Sequence, residues 1–269
     1  MIKTALIQNN ITASKAENLS HVKDMISDAV RQGARFVVLP ECFQQEYAVK
    51  KFADNAEELS KPGMSPTFDM LQASSKGITL VGGSFIERGP DSQLFNTSCT
   101  FEDGQLLGVH RKVHLFDVDI PGGIRFKESS VLAPGKEATV VNSELLGMKI
   151  GVGVCFDVRF ANYAEHLRSS GAKALVYPGA FNLTTGPAHW TLLARARALD
   201  NQAYTMLCSP ARSPTAAYQA YGHTIAVDPY GVVIGELDDK EGVLMFDMDP
   251  AYVDKVRAMI PLEEKRRVW

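Results

Sequence analysis

Apolar positions along the chain fall into short runs, some of them separated by segments with helical periodicity. Because these runs are apolar on both faces, they predict strands buried within covered sheets. The predicted strands are TALIQ (4–8), ARFVVLPE (34–41), ITLVGGSFIE (78–87), NTSCTF (96–101), KIGVGVC (149–155), ALVYPGAF (174–181) and AYTMLCSP (203–210).

Helical spacing follows the first of these runs and recurs later in the chain. Between the first two runs, one apolar face is formed by Leu19, Val22, Met25, Ile26, Ala29 and Val30. Gly33 is expected to end this helix, and further helices are predicted from near Asn162 and from Pro187, which suits a first-turn position. The alternation of strands and helices predicts an α/β fold.

The last third of the chain adds strands that are adjacent in sequence. HTIAVDPYGVVIGEL predicts two strands joined at Asp228–Gly231, and GVLMFDMD predicts another strand after them. Hairpins of this kind indicate mixed sheets, not purely parallel ones. No repeat or Gly/Ser/Pro-rich linker divides the chain, so residues 1–269 are predicted to form a single domain.

Composition narrows the class of protein. The 269 residues are 45% hydrophobic, enough for a sizeable core, and the net charge of -3 gives no general field for capturing nucleic acid. The basic run Lys265-Arg266-Arg267 is expected to be a solvated tail. The chain has no apolar run of about 18 residues and no signal-peptide pattern at its N-terminus, which predicts a soluble, cytoplasmic protein without membrane contact.

The four cysteines, Cys42, Cys99, Cys155 and Cys208, are widely spaced and form no C-x-x-C pair. This spacing argues against a disulfide framework or a structural zinc site, and neither a metal nor a cofactor is expected. A cysteine at the end of an apolar strand is most often a small buried hydrophobic residue, and three of the four are predicted to be so. Cys155 differs because polar residues, Asp157 and Arg159, follow it at once.

KIGVGVCFDVRF (149–160) has two interpretations. Its glycines resemble the start of a dinucleotide-binding turn, but Phe156 occupies the position of the third glycine, and Ala172-Lys173-Ala174 stand where an acidic residue is needed. Gly151 and Gly153 are therefore predicted to allow close packing of a strand. A turn after that strand can expose Cys155 as a nucleophile and offer backbone N–H groups to an oxyanion.

A cysteine thiol needs a base or a cation to react well at neutral pH. Glu41, directly after FVVLP, is either a solvated rim residue or a desolvated base with a raised pKa. Lys112 lies among His110, Arg111 and His114, and belongs either to a surface basic cluster or to a site where a fixed ammonium stabilises negative charge.

Glu, Lys and Cys in this order, each after a strand, resemble the nitrilase superfamily of carbon–nitrogen hydrolases. The resemblance covers nearly the whole chain, and the omega-amidase branch is the nearest in motif. It rests on the strings LPECF (39–43), HRKVHLFDVDIPG (110–122), CFDVRF (155–160), YPGAFNLTTGPAHW (177–190) and SPAR (209–212).

The resemblance implies a four-layer αββα sandwich with mixed sheets that forms a homodimer. The implied roles are Glu41 as general base, Lys112 as oxyanion and thiolate stabiliser, Cys155 as nucleophile, Glu128 as a second glutamate that helps position the substrate, the Phe156 N–H as oxyanion donor, and Tyr47 at the substrate pocket. Two positions depart from the family: Phe156 replaces a tyrosine, and Asn162-Tyr163 replaces Pro-Glu at the start of the next helix.

The reaction that this resemblance implies is hydrolysis of the terminal carboxamide of small dicarboxylic acid monoamides, such as 2-oxoglutaramate and succinamate, through a thioester. Arg159 and Arg195 are candidates to bind the free carboxylate, although Arg195 lies in an Ala- and Leu-rich helix where a packing role is equally possible. The alternatives are an amidase for deaminated glutathione or another small linear amide, and an inactive binding or scaffold protein.

Overall fold

A computed structural model describes residues 1–59 and 64–262. The basic run Lys265-Arg266-Arg267 lies outside the described residues. The strands are β1 Ile2–Gln8, β2 Phe36–Val38, β3 Thr79–Val81, β4 Phe85–Arg88, β5 Leu94–Glu102, β6 Gln105–Arg111, β7 Asp117–Asp119, β8 Arg125–Lys127, β9 Thr139–Ser143, β10 Met148–Val152, β11 Ala172–Pro178, β12 Tyr204–Cys208, β13 Ile225–Val227, β14 Val233–Glu236 and β15 Gly242–Met248. The α-helices are α1 Lys15–Arg31, α2 Val49–Asn55, α3 Pro66–Ser74, α4 Ala161–Ser169, α5 Gly186–Asn201 and α6 Pro250–Met259, and 3-10 turns cover Glu128–Ser130 and Cys155–Arg159.

The strands form two large sheets and one hairpin. The first sheet has the order β15-β1-β2-β3-β5-β4, with β6 also paired to β5, and the second has the order β14-β13-β12-β11-β10-β9. The hairpin is β7–β8. Both large sheets are mixed: β1 is parallel to β2 and antiparallel to β15, and β10 is parallel to β11 and antiparallel to β9. The predicted mixed α/β class is confirmed.

Alternating side chains of the central strands enter different apolar layers. Leu6 of β1 and Val176 of β11 belong to one buried cluster between the two sheets. Their neighbours point outward, Ile7 into a cluster with α1 and Tyr177 into a cluster with α4 and α5. Because each sheet is covered on both faces, its central strands, such as β2, β3 and β12, are buried along their whole length. The expected four-layer αββα sandwich is confirmed.

One predicted strand is divided in two by glycines. ITLVGGSFIE forms β3 and β4, which are separated by Gly82-Gly83-Ser84. Gly83 has φ +60°, and a Cβ there would lie 2.2 Å from the carbonyl oxygen of Pro40. The glycine therefore makes room for the turn that carries Glu41.

The end of the chain follows a path that periodicity alone does not specify. The predicted hairpin at Asp228–Gly231 is confirmed as antiparallel β13 and β14. The strand after it, β15, leaves this sheet and pairs antiparallel with β1 of the other. β15 thus joins the last part of the chain to the first sheet.

The opening of α4 accommodates its unusual sequence. The helix begins at Ala161, and the hydroxyl of Tyr163 donates a hydrogen bond of 2.6 Å to the Val152 carbonyl. Gly151 and Gly153 are packing glycines as predicted, since a Cβ would lie 2.8 Å from Leu167 and 2.7 Å from Tyr177, respectively. Among the described helices, none is both long and apolar enough to cross a membrane.

Candidate active site

Three turns from the two sheets meet at one buried point. Glu41 follows β2 and Lys112 follows β6 in the first sheet, while Cys155 follows β10 in the second. The Lys112 Nζ lies 3.1 Å from Glu41 Oε1, and the Cys155 thiol lies beside the Glu41 carboxylate. Glu41 and Lys112 are both 0% exposed, which excludes a solvated rim glutamate and a surface basic cluster.

The Glu41 carboxylate accepts hydrogen bonds from three directions. Its Oε1 accepts from Lys112 and, at 2.8 Å, from Asn96 Nδ2, and its Oε2 accepts at 2.8 Å from the Ala180 backbone N–H. Burial raises the pKa of Glu41, Lys112 opposes this effect, and the negative charge of Glu128 reinforces it. A carboxylate whose pKa is raised in this way is suited to accept a proton from a neighbouring thiol.

Lys112 is held mainly by Glu128. Its Nζ lies 2.8 Å from Glu128 Oε2, and the same carboxylate accepts from the Phe116 N–H at 2.6 Å and the Tyr47 hydroxyl at 2.9 Å. Burial alone lowers the pKa of Lys112, but Glu128 and Glu41 raise it well above its ordinary value. Lys112 is therefore an ammonium, and Glu128 keeps it in place.

Cys155 is the first residue of a 3-10 turn and has φ +47°, a conformation uncommon for residues other than glycine. Burial raises the pKa of its thiol well above the ordinary value, Glu41 raises it further, and Lys112 lowers it. The resting form is therefore the thiol. Phe156 follows, and its ring packs against Phe116 at 5.4 Å and Phe160 at 5.7 Å.

Aromatic rings form one wall of the site. Tyr47 packs against Tyr218 at 4.8 Å and Phe126 at 5.6 Å between ring centroids. A cavity of ≈ 40 Å³ is lined by Glu41, Tyr47 and Tyr218, together with several alanines. The wall is therefore built from three separate segments of the chain, and it places an apolar surface beside the buried carboxylate.

The same chain is similar to known proteins over nearly all its length. The sequence model of the family described as carbon-nitrogen hydrolase matches residues 3–258. The chain belongs to the carbon–nitrogen hydrolase family. The omega-amidase NIT2 of Danio rerio is 45% identical over 266 residues, 98% of this chain and 94% of that protein. The omega-amidase NIT3 of Saccharomyces cerevisiae is 43% identical over 273 residues, 99% of this chain and 93% of that protein.

A solved structure agrees with this assignment. Nit3 of Saccharomyces cerevisiae, described as a member of branch 10 of the nitrilase superfamily, has a TM-score of 0.90 and is 39% identical to this hydrolase. The match covers 99% of this chain and 97% of the yeast chain. Both the predicted family and the predicted fold are thereby confirmed.

The two candidate arginines of the hydrolase have different surroundings. Arg159, on the turn after Cys155, lies over the Phe181 ring at 4.8 Å, and its Nη1 is 3.2 Å from His189 Nδ1. Its Nε is buried and has no hydrogen-bond partner within the described residues. Burial lowers the pKa of Arg159, and Cys155 opposes this effect.

Arg195 lies in a different part of the molecule from Cys155 and Arg159. Its Nε donates at 3.0 Å to the Gly231 carbonyl, and its side chain lines a surface groove with Leu192, Leu199 and Tyr230. The packing role is therefore the one that the structure supports. The structure gathers five of the other predicted side chains around the buried centre of the hydrolase: Glu41, Tyr47, Lys112, Glu128 and Cys155. Arg159 lies beside this centre, with its guanidinium 5.5 Å from the Phe156 ring.

Sequence reasoning missed several residues that shape this centre. Asn96 of β5 bridges two carboxylates, donating to Glu41 Oε1 at 2.8 Å and contacting Glu128 Oε1 at 3.4 Å. Asp157, two residues after the cysteine, accepts from His110 and His114. Burial raises the pKa of Asp157, but those histidine hydrogen bonds hold it well below its usual range. The sequence held one signal for this contact: His110 and His114 lie two residues before and two residues after Lys112, at the spacing that lets both reach Asp157.

Proposed function

We propose that this carbon–nitrogen hydrolase is an omega-amidase that hydrolyses the terminal carboxamide of small dicarboxylic acid monoamides, 2-oxoglutaramate and succinamate. The observation that carries the proposal is the buried Glu41 carboxylate in contact with both Lys112 and Cys155. The omega-amidase names of the two relatives, which align over nearly the whole chain, support the choice of substrate class.

The first half of the reaction forms a thioester. Glu41 removes the proton of Cys155, and the thiolate sulfur bonds to the carbonyl carbon of the amide. The carbonyl oxygen becomes an oxyanion that Lys112 Nζ and the Phe156 backbone N–H stabilise. When this intermediate collapses, the C–N bond breaks, Glu41 returns its proton to the leaving nitrogen, and ammonia departs.

The second half releases the acid. Glu41 takes a proton from water, and the resulting hydroxide bonds to the thioester carbon. Collapse breaks the C–S bond, the proton on Glu41 passes to the Cys155 sulfur, and the dicarboxylic acid leaves. The net reaction is amide plus water to acid plus ammonia, with no metal or organic cofactor.

Substrate binding uses the surroundings of Cys155. Arg159 binds the free carboxylate, since a buried guanidinium N–H without a partner is costly and a carboxylate is its best acceptor. Tyr47 borders the bound chain. Glu128 positions the substrate indirectly, because its oxygens are already occupied by Lys112, Tyr47 and Phe116.

An ammonia-release assay tests the proposal. Purified enzyme is expected to act on succinamate and 2-oxoglutaramate with far higher kcat/KM than on glutamine or deaminated glutathione, and Cys155→Ala is expected to be inactive. A strong preference for glutamine would overturn the proposal, and a preference for deaminated glutathione would favour that alternative. An inactive scaffold would give neither ammonia nor a thioester adduct on Cys155 in mass spectrometry.

The proposal includes a cytoplasmic single-domain enzyme, residues 1–269, that acts as a homodimer. The homodimer is supported by large apolar side chains exposed on α5, α6 and the turn between β13 and β14: Leu192, Leu199, Tyr230 and Met259. Sedimentation of the wild type and of Leu192→Asp would test it. A monomeric wild type would contradict the homodimer.

A further inference from the structure

Asp157 is a fully buried carboxylate that takes no part in the proposed proton transfers. Each of its two oxygens accepts two hydrogen bonds. Oδ2 accepts from the Val154 N–H at 2.9 Å and from His110 Nε2 at 3.1 Å. Oδ1 accepts from the His114 N–H at 2.9 Å and from His114 Nδ1 at 2.7 Å.

These four bonds connect the two halves of the site. Val154 immediately precedes the nucleophile, on the turn that follows β10 of the second sheet. His110 is in β6 of the first sheet, and His114 lies beyond it, so the two histidines flank Lys112 at a distance of two residues on each side. Asp157 therefore ties the turn that carries the thiol to the segment that carries the ammonium.

The chemistry of the contacts requires a carboxylate. An ionised carboxylate has two oxygens that only accept, which matches four N–H donors. An asparagine side chain has one oxygen and one NH₂ group, so half of these donors would meet another donor. The backbone also needs this support, because Cys155 holds a left-handed conformation at φ +47°.

We propose that Asp157 is a positioning residue, which sets the distance between the Cys155 sulfur and the Lys112 ammonium by bridging the two sheets through His110 and His114. This inference rests on the proposed function for the roles of Cys155 and Lys112. It concerns the assembly of the site, so it predicts a loss of thiol reactivity as well as a loss of turnover.

Asp157→Asn is the first test, and Asp228→Asn is its matched control. Asp228 Oδ1 accepts from the Tyr230 and Val232 N–H groups in the β13–β14 turn, where an asparagine oxygen can replace it. We expect Asp157→Asn to reduce kcat for succinamate by about 100-fold, the effect of a small misplacement of reacting groups, with a smaller change in KM. Asp228→Asn is expected to keep the wild-type kcat.

Alkylation of Cys155 by iodoacetamide, followed by peptide mass spectrometry, measures the thiol directly. We expect it to slow in Asp157→Asn and to stay unchanged in Asp228→Asn. Because this reaction needs no turnover, it separates the two proposals: a wild type without amidase activity would contradict the function, whereas equal alkylation rates in wild type and folded Asp157→Asn would overturn the positioning role.

His114 provides a second pair of variants in case Asp157→Asn does not fold. Both His114→Asn and His114→Leu lose the ring that stacks on Phe160 at 3.5 Å. Only His114→Asn retains an N–H donor near the position of Nδ1. The proposal expects His114→Asn to alkylate and turn over substantially faster than His114→Leu. Equal rates in these two variants would show that the bond to Asp157 does not position the site.

Discussion

Arg159 and Arg195 provide a test of substrate recognition at the scale of single residues. The Nε of Arg159 is buried without a hydrogen-bond partner in the described part of the chain, whereas the Nε of Arg195 is satisfied by the Gly231 carbonyl. A hydrogen bond to a charged group contributes about 1.5–3 kcal/mol. We therefore expect Arg159→Leu to raise KM for succinamate by about 10–100-fold, since about 1.4 kcal/mol corresponds to a factor of ten.

The matched control is Arg195→Leu, which removes the same charge from the surface groove. Its KM is expected to remain near that of the wild type, and initial rates of ammonia release over a range of succinamate concentrations give both values. If Arg195→Leu raised KM as much as Arg159→Leu, the carboxylate would have to bind elsewhere.

The site residues that could be predicted from the sequence lie next to apolar runs or within family motifs. Glu41, Lys112 and Cys155 each follow an apolar run, so their position at a strand end was accessible, and the family motifs added Glu128. Asn96 lies inside a strand among other polar residues, and nothing local shows that it faces Glu41. The hydrogen bond from the Ala180 N–H to Glu41 could not be predicted either, because every residue except proline has a backbone N–H and the sequence does not show where it points.

At the scale of elements, the break between β3 and β4 determines where Glu41 can lie. Gly83 has φ +60° and leaves no room for a Cβ against Pro40, while Gly147 has φ +62° and no atom within 4 Å. An L-residue in this conformation costs roughly 1–2 kcal/mol. Gly147→Ala should lose about that much unfolding free energy, and Gly83→Ala should lose more and also lose activity.

Urea unfolding and ammonia release on both variants measure this difference. Because the two glycines share the same backbone conformation, the comparison isolates the contact with the Glu41 turn. Equal stability losses, or full activity in Gly83→Ala, would mean that the turn adapts without moving the carboxylate.

The periodicity of apolar residues predicts most helices and strands, but it does not show which strands pair with one another. α1 and the β13–β14 hairpin were predicted from local patterns, because helix spacing and turn residues are local properties. The destination of β15 was not, since pairing with β1 depends on a partner more than two hundred residues away. ITLVGGSFIE was apolar enough to resemble one strand, and the glycines that divide it act through a contact with Pro40.

At the scale of the whole molecule, burying a charged site between two sheets has a cost in stability. Burial is the leading cause of the raised pKa of Glu41, so the folded state binds a proton at this carboxyl more tightly than the unfolded state does. A raised folded pKa contributes stability below the unfolded value of 4.5, and this contribution is lost as the pH rises through the folded pKa. At neutral pH Glu41 therefore contributes less to the free energy of unfolding than it does at acidic pH.

Glu41→Gln removes this dependence together with the base. The variant should release no ammonia. Relative to wild type, its free energy of unfolding should increase from pH 5 to pH 8, about the range above the ordinary pKa of glutamate, because only the wild type loses stability there. Urea unfolding at the two pH values measures the change, with Glu144→Gln, an exposed glutamate, as the control. If the difference between Glu41→Gln and wild type did not change with pH, the carboxylate would have the same proton affinity in the folded and unfolded chains. The site would then owe its chemistry to geometry alone.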